Sequence, residues 1–221
     1  MPFVLDHVMV CTDAGAPELN ALLEAGFREG SSNVHPGQGT ANRRVFFEHG
    51  FLECLWVHSV NEATSPKTQR TQLWERWAGR KSGANPFGLC FAPASSAPDG
   101  LPFEYCLYQP DYLPTEKSIY FAQDNPLHEP LLFALSWPQI ASANALQPTT
   151  HALAFQGMQT VSVGLVDASS LSPPLFAAVQ AGLVRVHAAP QPELVIEFTA
   201  MQAVECRLPA LGLVMVGKPS A

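Results

Sequence analysis

Phe3-Val4-Leu5-Asp6-His7-Val8-Met9-Val10-Cys11 opens a segment, running on to Val57, whose pattern decides the fold. As a strand it would send Phe3, Leu5, His7, Met9 and Cys11 to one face and Val4, Asp6, Val8 and Val10 to the other. Both faces are largely apolar, so the strand should be covered on two sides. Thr12-Asp13 then offers helix caps, and Leu19, Leu22 and Leu23 form a stripe at helical spacing between Ala16 and Ala25, with Gly26 as the stop. Phe27 to Glu29 predicts a short strand, and a Gly/Pro-rich loop follows from Gly30 to Thr40. Two more strands are expected at Arg43 to Phe47 and Phe51 to Val57, joined by a hairpin turn at His49-Gly50. Strand, helix, strand, strand, strand is a βαβββ unit.

Working outward, Ser65 as cap and Pro66 at the first position predict a helix from Pro66 to about Arg80, with Leu73, Trp74 and Trp77 facing inward. Four strands are expected beyond it, at Phe87 to Ala92, Phe103 to Tyr108, Ser118 to Ala122 and Pro130 to Leu135. Between Pro93 and Pro102 the chain is too rich in Pro, Ser and Gly for an ordinary three-turn helix, so a second unit would lack one. A third segment restores the order, with a strand at Gln159 to Val166 and a helix from Ser172 to Ala181 stopped by Gly182. Strands at Val184 to His187, Leu194 to Thr199 and Leu211 to Val216 follow. The Ala25-Gly26-Phe27 and Ala181-Gly182-Leu183 helix exits match, as internal duplication would produce. The expected organisation is a first unit over 1–60, a linking helix over 61–84, a degenerate second unit over 85–137, a linker over 138–157 and a third unit over 158–221. The fold class is α+β with repeated βαβββ units.

With 47% hydrophobic residues in 221, the chain can bury a substantial core. Charged residues make up only 14% and the formal net charge is −7, leaving no cationic excess to neutralise a phosphate backbone, so nucleic acid is not expected as a partner. Asp6 and His7 stand where a secretion signal would need a basic stretch and an apolar run, so no signal peptide is expected. The longest apolar runs, such as Leu131 to Leu135, fall far short of the roughly 20 residues of a membrane-spanning helix. The five cysteines, Cys11, Cys54, Cys90, Cys106 and Cys206, form no Cys-x-x-Cys pair and fit a reducing cytoplasm. Four of them lie in strand-like apolar runs, where a thiol acts as a small hydrophobe.

Asp6-His7, the stretch His35-Pro36-Gly37-Gln38-Gly39-Thr40-Ala41-Asn42, and Phe51-Leu52-Glu53 resemble the signature of the glyoxalase-like proteins of the vicinal-oxygen-chelate superfamily. The remainder of the chain resembles them through strand order, Leu113-Pro114 and Glu129-Pro130-Leu131-Leu132-Phe133. The resemblance implies that paired βαβββ units curl their sheets into a cup, and that a divalent metal is held by a His on the first strand and a Glu on the fourth. His7 and Glu53 occupy those positions, and Glu129 is the best remaining carboxylate, either completing the site as a third ligand or beginning an edge strand before Pro130. Imidazole and carboxylate suit iron, manganese, nickel or zinc, with open positions for two neighbouring substrate oxygens. Phe87 to Phe91 and Gln159 to Ser162, where other halves of such cups contribute ligands, carry no histidine.

Strand parity supports Glu53 independently, because it shares a face with Phe51, Leu55 and Val57, and a carboxylate among apolar groups needs a partner. A metal, Arg43, Arg44 or a histidine could each supply it, and a buried carboxylate satisfied by hydrogen bonds is the alternative. Glu53 and His35 are the expected catalytic pair, although His35 could equally be a third ligand or a solvated side chain. Gly37, Gly39, Thr40 and Asn42 are expected to bind substrate, since the glycines let backbone amides approach an anion; a turn chosen for its dihedral freedom is the alternative. Two functions follow for one cup: an isomerase, lyase or dioxygenase acting on a substrate with adjacent oxygens, or a protein that sequesters an apolar compound. A homodimer is a further expectation, because units of this kind pair through sheet edges.

Overall fold

The computed structural model describes residues 2–95, 100–138 and 146–219. The larger sheet is built from β1 (Phe3–Cys11), β2 (Asn33–His35), β3 (Thr40–Phe46), β4 (Phe51–Val57), β5 (Phe87–Pro93), β6 (Tyr105–Tyr108), β7 (Ile119–Ala122) and β8 (Leu131–Leu135). Its order is β2-β3-β4-β1-β5-β8-β7-β6. In each half the first strand pairs parallel with the last, β1 with β4 and β5 with β8, and the halves meet antiparallel across β1 and β5. The sheet curls into a half-barrel, the α+β cup that paired units predict.

Helix α1 (Asn20–Glu24) completes the first half, and Leu19 and Leu22 beneath it are fully buried. Gly26 ends it at φ +94°, a conformation only glycine adopts without strain. The described residues between β5 and β6 contain no helix, as the Pro-rich sequence predicts; residues 96–99 lie outside the description.

The third segment makes its own five-stranded sheet from β9 (Phe155–Leu165), β10 (Arg185–Ala188), β11 (Glu193–Ala200), β12 (Val204–Leu208) and β13 (Leu213–Pro219), in the order β10-β9-β11-β13-β12. Here α4 (Pro173–Gln180), capped by the Ser172 hydroxyl, crosses from β9 to a parallel β10, and β9 does not pair with the last strand. The connectivity therefore differs from that of the cup halves. β12 was not expected, because exposed Glu205 and Arg207 dilute its apolar signal to Cys206 and Leu208.

This second sheet packs on the outside of the cup. Val8, Val10, Leu52 and Cys54 from the cup join Leu194, Ile196, Phe198 and Met215 in one buried cluster. Phe198 lies 4.7 Å from Phe47 and 5.0 Å from Phe155 between ring centres, and burying each ring contributes about 2 kcal/mol. The concave face keeps a separate cluster of Met9, Cys11, Leu55, Cys90, Phe121 and Phe133. Covering one face leaves the other to form a hollow.

Three expectations are corrected. Residues 27–29 form no strand: Phe27 is drawn into the core, Glu29 turns to Arg43, and the ladder begins at Asn33 opposite Asn42. The helix from Pro66 to Arg80 is broken. A separate α2 (Val60–Ala63) precedes it, and its own span holds only a short turn at Gln69–Thr71 and α3 (Leu73–Gly79), with Gln72 left-handed at φ +57°. The Thr68 and Thr71 hydroxyls bond the nearby carbonyls of Glu62 and Thr68, competing with a continuous helix. On α3, Leu73 is buried but Trp74 and Trp77 are only half-buried, and the residue turned fully inward is Arg76. The third correction concerns β1, where Leu5 and His7 oppose the consecutive residues Phe91 and Cys90, so Asp6 is an extra residue. Parity slips there: Phe3 joins the outer cluster with Val8 and Val10, while Met9 and Cys11 face the hollow.

Candidate functional site

The hollow is a cavity of about 350 Å³ lined by His7, Glu53 and Asn42 on one side and by Phe121, Phe133 and Trp137 on the other. β1 and β4 run parallel with His7 opposite Phe51 and Met9 opposite Glu53, so His7 and Glu53 share a face one step apart. Their nearest atoms, His7 Nε2 and Glu53 Oε2, are 3.6 Å apart. Both side chains are buried, and each is held from behind. Asp6 Oδ1 lies 2.6 Å from His7 Nδ1 and accepts its N–H, which turns Nε2 toward Glu53. The Asn42 amide donates to Glu53 Oε1 at 2.5 Å, and its own carbonyl accepts the Asn33 N–H at 2.8 Å, which fixes the amide's orientation. The His7 ring is clamped between Phe51, stacked at 4.3 Å, and the edge of Phe133 at 5.5 Å.

Asp6 enters the cavity only because of the extra residue in β1, and simple alternation therefore misses it. Of the two arginines expected near Glu53, Arg43 sits on the outer face and grips Glu29. Arg44, opposite Glu53 in the β3–β4 register, lines the cavity.

His35 also lines the cavity, with Nδ1 2.9 Å from the Thr40 hydroxyl and its ring stacked on Tyr112 at 5.1 Å. Burial lowers its pKa, an effect only partly opposed by Glu53. The Gln38 amide donates to the same hydroxyl at 2.7 Å, and the Tyr112 phenol donates to Gln38 Oε1 at 2.8 Å. Burial raises the Tyr112 phenol far above its usual range, so it stays a donor. Gln38, Tyr112, Lys117 and the aromatic wall were not found from the sequence. Tyr112 has a signal in its neighbour Leu113-Pro114, but the wall depends on how the second half folds over the first.

Gly37, Gly39 and Thr40 lie elsewhere than expected. The glycines pack against the α2 segment, the Gly37 N–H donating to Glu62 at 2.8 Å and the Gly39 carbonyl accepting from the amides of His58 and Ser59, while the Thr40 hydroxyl backs His35. A side chain on Gly39, at φ +76°, would place its Cβ 2.3 Å from the Ser59 carbonyl. The turn's glycines are thus required by the fold, and of the expected substrate-binding residues only Asn42 lines the cavity. Glu129 is likewise away from it. Its carboxylate accepts the Ser172 N–H at 2.8 Å and the Ser172 hydroxyl, tying the cup to the start of α4. Buried and fully used there, it does not join His7 and Glu53.

His7 Nε2 and Glu53 Oε2 face one cavity at a separation two ligands of one ion can span, and each has the outer hydrogen bond that such ligands usually carry. Asp6, His7 and Cys90 also bring ligand atoms within 4.8 Å of one another. That trio fits poorly, because Asp6 is engaged with His7 Nδ1 and burial pushes the Cys90 thiol well up, against the thiolate a metal needs. Apart from Cys90, the described residues of β5 and β8 add only apolar groups to the concave face. The residues present thus fit an ion held by two side chains.

The family model described as a glyoxalase-like domain matches residues 5–100, which take in the first half of the cup and β5, and this is consistent with the vicinal-oxygen-chelate superfamily. Among solved structures, a hypothetical protein from Staphylococcus aureus is similar over 99% of this chain and 100% of that one, with a TM-score of 0.51 and 12% identity. At that identity the likeness shows the fold, including the second sheet. No curated protein matches the sequence. No described helix is long and apolar enough to cross a membrane.

Proposed function

We propose, starting from the glyoxalase-like domain of residues 5–100, that the protein is a small-molecule enzyme of the isomerase, lyase or dioxygenase type. In this reading His7 and Glu53 hold a divalent ion, iron, manganese, nickel or zinc, and the substrate brings two neighbouring oxygens and an apolar body. One observation carries it: His7 Nε2 and Glu53 Oε2 stand 3.6 Å apart in a shared cavity, each fixed by its own outer partner.

When bound, the ion would polarise the substrate's oxygens. The chain's residues do the rest. Asp6 keeps the proton on His7 Nδ1, and Asn42 keeps Glu53 Oε1 occupied, so neither ligand can turn away. His35, held neutral by burial and with Nδ1 committed to Thr40, accepts a substrate proton at Nε2. Phe51, Phe121 and Phe133 exclude water and stack on an apolar or aromatic substrate.

The test is metal analysis of protein purified without a polyhistidine tag, beside His7→Ala and Glu53→Ala. The reading expects metal in the native protein and loss in both variants; equal content in all three contradicts it. A second reading, sequestration without chemistry, is favoured by the apolar wall of the second half. Thermal stabilisation by organic ligands alone, unaffected by added metals, would support that alternative.

A further inference from the structure

Arg44 and Glu53 are directly opposite each other on β3 and β4, a position in which cross-strand Cβ atoms lie about 5 Å apart. Yet they form no ion pair. The Arg44 guanidinium is held elsewhere: Nε donates to the Ser31 carbonyl at 2.9 Å, and Nη2 donates to the Ser31 hydroxyl at 2.8 Å. Its plane lies over Phe46 at 4.8 Å and Phe51 at 5.5 Å. Nη1 makes no hydrogen bond to the described residues and is not among the buried unsatisfied atoms. A guanidinium fixed on two nitrogens and on two rings, with the third nitrogen unused, is pre-ordered for a partner.

Lys117, on the loop before β7, lines the same cavity with its ammonium 4.9 Å over the Trp137 ring, and it too has no carboxylate partner among the described residues. The acids of the cavity are already engaged, Glu53 with Asn42 and Asp6 with His7. Two cations without a direct ion pair therefore border a hollow whose far wall, with Phe121, Phe133 and Leu135, is apolar. A carboxylate is the partner whose charge and geometry suit the unused Arg44 nitrogen.

We propose that the cup selects anionic substrates: compact carboxylates with an aromatic or branched apolar body, whose carboxylate is received by Arg44 while Lys117 adds attraction from the rim. A hollow of about 350 Å³ holds roughly twelve non-hydrogen atoms at the packing of liquid water, the size of a phenyl ring with a short oxygenated acid. The proposal rests on the cup being the ligand site, but not on the metal.

Calorimetric titration with mandelate and with its uncharged amide, mandelamide, tests it on the wild-type protein, Arg44→Gln, Arg44→Lys and Glu53→Gln. Wild type should prefer the acid by roughly ten- to a hundred-fold, the worth of a charge-assisted hydrogen bond. Arg44→Gln should abolish the preference, Arg44→Lys should keep part of it, and Glu53→Gln should keep it even where metal is lost. Equal affinity of wild type for acid and amide, or no binding of either at millimolar concentration, overturns the proposal. So does a full preference surviving in Arg44→Gln, and the wild-type ratio decides even if that variant fails to fold. A wild-type preference in a protein that holds no metal would sink the metal reading and leave this one standing.

Discussion

Asp6 and His7 are consecutive in one strand, yet both side chains enter the cup, and Asp6 Oδ1 lies 2.6 Å from His7 Nδ1. Regular alternation would put them on opposite faces. The extra residue that β1 carries against β5 brings the carboxylate round to the imidazole, and this leaves Nε2 as the nitrogen offered to Glu53. The irregularity in the strand is thus what sets the chemistry of the histidine.

Replacing that carboxylate should loosen the site without emptying it. Asp6→Asn is expected to weaken manganese(II) binding about 10- to 100-fold, the usual cost of losing an outer partner of a ligating histidine. A fluorescence or magnetic-resonance titration measures this. Unchanged affinity would mean that Asp6 does not orient the ligand.

Glu129 should act on stability alone. Glu129→Ala leaves the half-buried Ser172 N–H without its acceptor and frees the start of α4 from the cup. The expected loss is about 1–3 kcal/mol, read as a lower urea midpoint, with metal content unchanged. A variant that folds with native stability but loses metal would return Glu129 to the site.

Much of this architecture is legible in the sequence because local signals agree with the final packing. β4 falls on the expected Phe51 to Val57, and the Ser172-Pro173 start of α4 is where its cap predicts it. His7 and Glu53 meet because alternation holds from His7 to Cys11, past the slip at Asp6, and along β4. What escapes is what depends on distant partners. Asp6 needs the register of β5, and Gln72 breaks a helix for reasons visible only in the hydroxyl bonds around it. Arg76 reads as an ordinary helix-surface cation. Instead it is buried, donating to the Glu129 carbonyl at 2.5 Å and to those of Asn125 and Pro126 at 3.2 Å. Glu129 stands out in the sequence as the remaining carboxylate at the head of a strand, and its partner Ser172 is 43 positions away.

Acid should destabilise the fold through His151. Its Nδ1 accepts the Arg28 N–H at 3.1 Å and its Nε2 donates to the Phe46 carbonyl at 2.8 Å, an arrangement only the neutral ring can make. Burial lowers its pKa below the unfolded value near 6.5. Below pH 6.5 the unfolded chain therefore takes up a proton that the folded protein refuses, so stability is full above that pH. It falls as pH drops toward the depressed folded value. His35, lowered for the same reason, adds in the same direction. Thermal midpoints across this range should decline, with a shallower decline in His151→Gln; identical slopes would contradict the assignment.

The most direct measurement is a double-mutant cycle on manganese(II) affinity with His7→Gln, Glu53→Gln and the double variant. If the two side chains hold one ion, each single change should lower affinity roughly as far as both together, because removing either ligand dismantles the site. Losses that add independently, or wild-type affinity in either single variant, would contradict a shared centre in the cup.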